Sequence, residues 1–205
     1  IHVFTQRVLN TAIGQIAAWQ RTGQQVRVSV NISVNNLLDQ GFVDTLAESL
    51  AAANVPAELL ELEVTESAVM RHPDTIMKRL YSIRSLGVRL AIDDFGTGYA
   101  SLAYLKQLPV QLLKVDKSFI LQLATDPADQ RIVRSAIQLA HGFGMQVCAE
   151  GVETEATAAM LRDYGCDHAQ GYHFSRPVPA HEIERTYFEA ARPVAAVVLT
   201  ERRLS

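Results

Sequence analysis

Six short stretches of the chain alternate apolar and polar residues, and each is followed by a segment of helical periodicity. No other feature limits the fold as strongly. The strand-like stretches are 26–32, 59–64, 88–94, 111–116, 145–151 and 167–172. The spacing predicts helices over 3–22, 42–53, 68–86, 128–142, 154–164 and 180–191, with a short one starting near Ser101. Gly23 and Gly87 mark two helix ends, where glycine accepts a left-handed backbone. In the helix over 128–142, Ile132, Val133, Ala136, Ile137 and Ala140 are predicted to face inward. A strand that returns through a helix to the next strand builds a parallel sheet.

The alternation also says which kind of sheet. One set of residues is apolar: Val28, Val30 and Ile32; Leu62 and Val64; Val88, Leu90 and Ile92; Leu113 and Val115. The other set is polar: Arg27, Ser29 and Asn31; Glu61 and Glu63; Arg89 and Asp93; Lys114 and Asp116; Gln146 and Glu150; His168 and Gln170. Open doubly wound sheets are covered on both faces and read apolar throughout. A closed barrel with helices outside can hold polar groups in its interior near the mouth. The expected fold is therefore α/β, of the (β/α) barrel type. Asn31, Glu63, Asp93, Lys114, Glu150 and Gln170 stand at or near the C-terminal ends of their strands. In such a barrel those ends share one rim, and the rim carries the chemistry.

A chain of 205 residues with 48% hydrophobic and 20% charged residues has material for one core. One domain over 1–192 is expected, with 193–205 as a tail outside the strand–helix pattern. The net charge of −3 gives no general attraction to DNA, RNA or an anionic membrane. Cys148 and Cys166 form no CxxC pair, so a reducing, cytoplasmic setting is expected. No apolar run reaches the length of a membrane span, and direct membrane contact is not expected.

Glu63, Glu66, Asp93, Asp94 and Glu150 converge with a single lysine in this reading. So many carboxylates in a confined space need compensating cations, or some must take up protons. All-oxygen donors with one Asn carbonyl suit Mg²⁺ or Mn²⁺. Histidine and cysteine are absent from the predicted site, so zinc does not fit. Asp93 is placed to bridge two ions, with Asp94 pointing elsewhere to ligate one of them. The glycine loop "GTGYAS" at 96–101 nearly matches a dinucleotide-binding GxGxxG, but Ser101 replaces the third glycine and the two aspartates would repel a bare pyrophosphate.

The segments "VNIS" (30–33), "ELEVTES" (61–67), "DDFGTGYASL" (93–102), "LKVDKSFI" (113–120), "AEGVE" (149–153) and "GCDHAQGYHFSRP" (165–177) together resemble the motifs of the EAL-domain family, in the family's order. That family comprises bacterial cyclic di-GMP phosphodiesterases and non-catalytic relatives. The resemblance implies a modified TIM (β/α)8 barrel with one antiparallel strand. It implies that Asn31, Glu63 and Asp93 are metal ligands, with Asp93 shared between two ions, and that Asp94 ligates the second. Lys114 matches the catalytic lysine, and Glu150 a general base or a second-metal ligand. Gln170 matches a residue that orders water, and Glu66 one that holds the glycine loop. Asp116 and Glu153 match supports behind these groups, with plain capping or salt-bridge roles as the alternative.

The implied function is metal-dependent hydrolysis of cyclic di-GMP to pGpG in bacterial signalling, with two Mg²⁺ or Mn²⁺ ions and a homodimer formed around the loop after Asp94. A receptor that binds cyclic di-GMP without cutting it is the alternative. The retained Glu63, Asp93, Asp94, Lys114 and Glu150 argue for catalysis, and a partner-docking domain without nucleotide would leave them purposeless. The sequence departs from the family pattern at Ala100, Lys117 and Thr157, and the letters E-A-L do not occur in it. Six strands are counted where the barrel needs eight. The expectation is an N-terminally truncated barrel in a fragment of a longer protein, inactive or poorly active alone.

Overall fold

The computed structural model describes residues 2–98 and 102–188. Six strands run parallel in one sheet, in sequence order. They are β1 (Val28–Asn31), β2 (Leu60–Thr65), β3 (Arg89–Phe95), β4 (Leu112–Val115), β5 (Gln146–Ala149) and β6 (His168–Ala169). The helices are α1 (His2–Arg21), α2 (Val34–Leu38), α3 (Phe42–Ala53), α4 (Glu66–Arg71), α5 (Pro73–Ser85), α6 (Leu102–Leu105), α7 (Pro127–Gly142), α8 (Glu155–Asp163) and α9 (Ala180–Ile183). A π-helical turn, Glu184–Phe188, extends α9. The six strands form an arc of a TIM-like barrel with helices around it. Among the described residues, β1 and β6 each pair with one neighbour, and no helix is long and apolar enough to cross a membrane.

The outer face of the sheet is the main core. Val28, Val30, Leu62, Val64, Leu90, Ile92, Leu113 and Val115 are buried there against Leu9, Ile13 and Ile16 of α1, Leu80 and Ile83 of α5, and Val133 and Ile137 of α7. Local chemistry starts the helices. Asp126 accepts a hydrogen bond from Ala128 N at 2.7 Å and Pro127 opens α7, while Thr154 accepts from Thr157 N at 3.2 Å to open α8.

Four local expectations change. Ile132 is 43% exposed rather than inward, because it lies one residue off the 133–136–137–140 stripe and turns about 100° away. The predicted helix over 68–86 divides at His72, because Pro73 disfavours a helical backbone in the residue before it. Helix α2 was not predicted; Ser33 starts it through a reciprocal cap with Asn36. β6 has two residues where six were expected, because Gly171 turns the chain away at φ +155. The end of the last predicted helix (189–191) and the tail over 193–205 lie outside the described residues.

Inside the arc, alternate residues of each strand form levels. Along β3 they are Arg89, Ala91 and Asp93; along β5 and just beyond it, Gln146, Cys148 and Glu150. At the lower level Glu61 accepts from Ser29 Oγ at 3.0 Å and from Arg89 Nε at 3.3 Å, and Arg89 Nη2 donates to Gln146 Oε1 at 3.2 Å. Ala91, Leu112 and Cys148 form a small apolar level of their own. Asp93, Lys114 and Glu150 stand above it. The apolar level separates the Arg89–Glu61 ion pair and its hydrogen bonds at the bottom from the rim.

Candidate active site

The rim is organised around one ammonium. Lys114 is 1% exposed, and its Nζ lies 2.7 Å from Glu63 Oε2, 2.6 Å from Glu150 Oε1 and 3.1 Å from Asp93 Oδ1. Gln170 Nε2 donates to the same Glu150 oxygen at 2.7 Å. Burial opposes the lysine charge, but Glu63, Glu150 and Asp93 outweigh it, and the Lys114 pKa is raised. Burial pushes the Glu63 carboxyl up, against the pull of Lys114. Glu150 is pushed up to about 7, again mainly by burial, with Lys114 opposing and Asp93 adding to the rise.

Asp93 and Asp94 are both held at the rim by a break in strand regularity. Side chains of successive strand residues face opposite ways. Here the β3–β4 register shifts between Ile92 and Phe95, and Asp94 takes a left-handed φ of 55°. The extra residue of such a bulge re-aims a side chain. Oxygens of Asp93, Asp94 and Glu150 consequently lie within 4.8 Å of one another, close enough to hold a cation.

The segment after the bulge closes on Glu66. Gly96 N donates to Glu66 Oε2 at 2.9 Å. A Cβ on Gly98 would lie 2.8 Å from Glu66 Oε1, and one on Gly96 would lie 2.7 Å from the Phe119 ring. The glycines thus admit a carboxylate and a ring. A carboxylate already takes the Gly96 N–H, which argues against a pyrophosphate at that position.

The other predicted residues are placed as follows. Asn31 pairs in register with Glu63 and lines the cleft above the rim, as do Gln170 and Glu153. Asp116 stands outside the carboxylate cluster and accepts from Ser118 N at 2.9 Å, capping the turn after β4. The cleft encloses about 470 Å³. Its mouth is built by residues the strand pattern did not single out: Lys117, Leu121, Tyr172, Phe174 and Arg176. The signal available was the "YHFSR" run after the sixth strand, which sets exposed aromatic and basic residues beside an acidic bowl. His173 lies off the cluster, paired with Glu155 at 3.0 Å.

A β/α barrel arc with an acidic, lysine-centred site at the C-terminal ends of its strands is the class that fold and rim define. Residues 1–177 match the family described as EAL domain, and the chain belongs to that family. It is 44% identical over 178 residues to cyclic di-GMP phosphodiesterase NbdA of Pseudomonas aeruginosa, covering 85% of this chain and 23% of that protein. It is 40% identical over 182 residues to signaling protein YkoW of Bacillus subtilis, covering 89% of this chain and 23% of that protein. The chain therefore spans about a quarter of these relatives. Among solved structures, the EAL domain of Mycobacterium smegmatis DcpA superposes with a TM-score of 0.87 at 38% identity, covering 93% of this chain and 86% of that one. The PaMucR phosphodiesterase in complex with c-di-GMP gives 0.86 at 38% identity, covering 89% and 74%.

Proposed function

We propose that this domain hydrolyses one phosphodiester of cyclic di-GMP to give linear pGpG, using two Mg²⁺ or Mn²⁺ ions at the rim. The observation that carries the reading is the carboxylate cluster that the β3 bulge gathers around Lys114. The donor set fits such ions. It is all oxygen, three carboxylates lie within reach of one point, and Glu63 Oε1 and Gln170 Oε1 are buried with no hydrogen-bond partner. Asn31, Glu63 and Asp93 would hold one ion, and Asp93 with Asp94 the other. Bound there, the ions would supply positive charge to the phosphoryl oxygens and the leaving 3′ oxygen and make the attacking water more acidic.

The chain's own groups do the rest. Lys114 keeps its charge at neutral pH, because three carboxylates surround it, and directs it at the water or the phosphate. Glu150 accepts the water proton, and Gln170 fixes its carboxylate. Glu66 holds the segment after Asp94, so it acts by keeping that ligand in place. Glu153 and Asp116 support the site from the cleft wall and from the turn after β4. A homodimer is part of the same proposal. Its support is a mostly apolar groove of Phe95, Ile132, Ala136 and Leu139, with Arg131 and Ser135, beside the bulge.

The test is chromatographic analysis of cyclic di-GMP incubated with the intact protein, with Mg²⁺, with Mn²⁺ and with excess chelator. pGpG should form only with the ions, and Asp93→Asn should abolish it. Binding without cleavage would favour the receptor reading instead, and full turnover in chelator would sink the metal assignment.

A further inference from the structure

The floor and the mouth of the cleft carry opposite charge. The floor is the carboxylate cluster around Lys114. At the mouth, Lys117 on the turn after β4 and Arg176 on the loop after β6 line the same cavity. Both are exposed, and neither makes an ion pair among the described residues.

Both cations are mounted on one dipeptide, Gly151–Val152, which directly follows Glu150. A Cβ on Gly151 would lie 2.6 Å from Lys117 Cβ, so the lysine stem rests on that glycine. The Arg176 loop is tied to the next residue. Gln170 O accepts from Val152 N at 3.0 Å, and His173 N donates to Val152 O at 3.0 Å. A Cβ on Gly171 would lie 2.2 Å from that same oxygen. The Arg176 guanidinium then stacks 4.3 Å over the Tyr172 ring. That contact orients the guanidinium and leaves its N–H edges available.

We propose that Lys117 and Arg176 form a second phosphate subsite, which takes the phosphodiester of the cyclic dinucleotide that is not being cut. The inference rests on the function proposed above. A cyclic dinucleotide carries two diesters in one ring. When one reaches the ions at the floor, the other remains near the mouth, beside the exposed carboxylate of Glu153 and away from those ions. Lys117 and Arg176 supply the positive charge that faces it there. Guanidinium and ammonium are the side chains that suit a phosphate. The subsite distinguishes a two-phosphate ring from a simple diester.

The experiment uses Lys117→Ala, Arg176→Ala and Arg176→Lys in the intact protein. Two substrates are compared: cyclic di-GMP and bis(p-nitrophenyl) phosphate, which has a single diester. Each alanine variant should lower the kcat/KM ratio of cyclic di-GMP over the simple diester about fivefold, the size of an exposed charge contact. The change should sit in KM and shrink at high salt. Arg176→Lys should keep most of the ratio. An unchanged ratio, or an equal loss on both substrates, overturns the proposal. So does an Arg176→Lys loss equal to that of Arg176→Ala with cyclic di-AMP binding unaffected, which would assign Arg176 to a guanine edge. Calorimetric Kd values for cyclic di-GMP read the subsite without turnover. Absence of cleavage by the unsubstituted protein would therefore count against the proposed function and leave the subsite still measurable.

Discussion

Replacing Lys114 by methionine keeps a side chain of similar length and removes the cation that Glu63, Asp93 and Glu150 surround. Glu63 at 1% exposure, with Asp93 and Glu150, then loses its partner at 2.6 to 3.1 Å. Breaking a buried ion pair from one side costs about 3–5 kcal/mol. In a chain of this size each kcal/mol moves Tm by about 2–4 °C, so a fall on the order of 10 °C is expected in chelator. The loss should depend on pH. Glu150 sits near 7 in the folded protein, above the usual carboxyl range, because burial outweighs Lys114. Between that range and pH 7 the folded state keeps a proton that the unfolded chain has released, so stability falls as pH rises through the window. Without the opposing lysine, Glu63 and Glu150 shift further up. The penalty should be smaller near pH 5, where Glu150 is protonated, and larger near pH 8, where it is ionised. Thermal unfolding by circular dichroism at both pH values, with chelator and then with Mg²⁺, measures this. Mg²⁺ should raise the Tm of Lys114→Met more than that of the unsubstituted protein, because the ion replaces the missing charge. A Lys114→Met Tm equal to the unsubstituted value at pH 8 in chelator would show that Lys114 does not balance the buried carboxylates.

Glu66→Ala should raise the Mg²⁺ concentration needed for half-maximal turnover, because Gly96 loses its 2.9 Å acceptor and Asp94 is released; an unchanged metal requirement would remove the loop role. Gly171→Ala should destabilise the fold and weaken cyclic di-GMP binding, since its Cβ would meet Val152 O at 2.2 Å; normal Tm and Kd would contradict the close approach. Asp167 accepts from Val147 N at 2.8 Å and faces His141 Nε2 at 2.8 Å. Burial raises its pKa, but these partners outweigh burial and lower it. Asp167→Asn should cost about 1 kcal/mol near neutral pH, and the difference should vanish in acid as the depressed carboxyl protonates, read from urea midpoints against pH.

The sheet was legible because its period of two survives tertiary packing: apolar Val28, Leu62, Leu90 and Leu113 are buried outward, and Glu63, Asp93 and Lys114 converge inward. The rim was legible because those residues end their strands. What alternation could not show is the step that brings Asp94 back to Asp93 and Glu150. A bulge depends on the pairing with β4 and on a left-handed Asp94, and neither leaves a periodic trace. The levels inside the arc were half visible: Glu61 and Arg89 read as polar interior, but their separation from the rim by Ala91, Leu112 and Cys148 needed the register. The cationic mouth escaped because Lys117 and Arg176 belong to turns, and only the packing of both on Gly151–Val152 brings them together.

The proposed function requires the bulged β3 to hold two ions that share Asp93. Anomalous diffraction at the manganese edge, from crystals of the protein with Mn²⁺ and cyclic di-GMP, tests this. Two peaks are expected about 3.5–4 Å apart, with an Asp93 oxygen on each, Glu63 and Asn31 on one and Asp94 on the other. Asp94→Asn should remove only the second peak. A single peak, or two peaks that do not touch Asp93, would rule out the shared ligand.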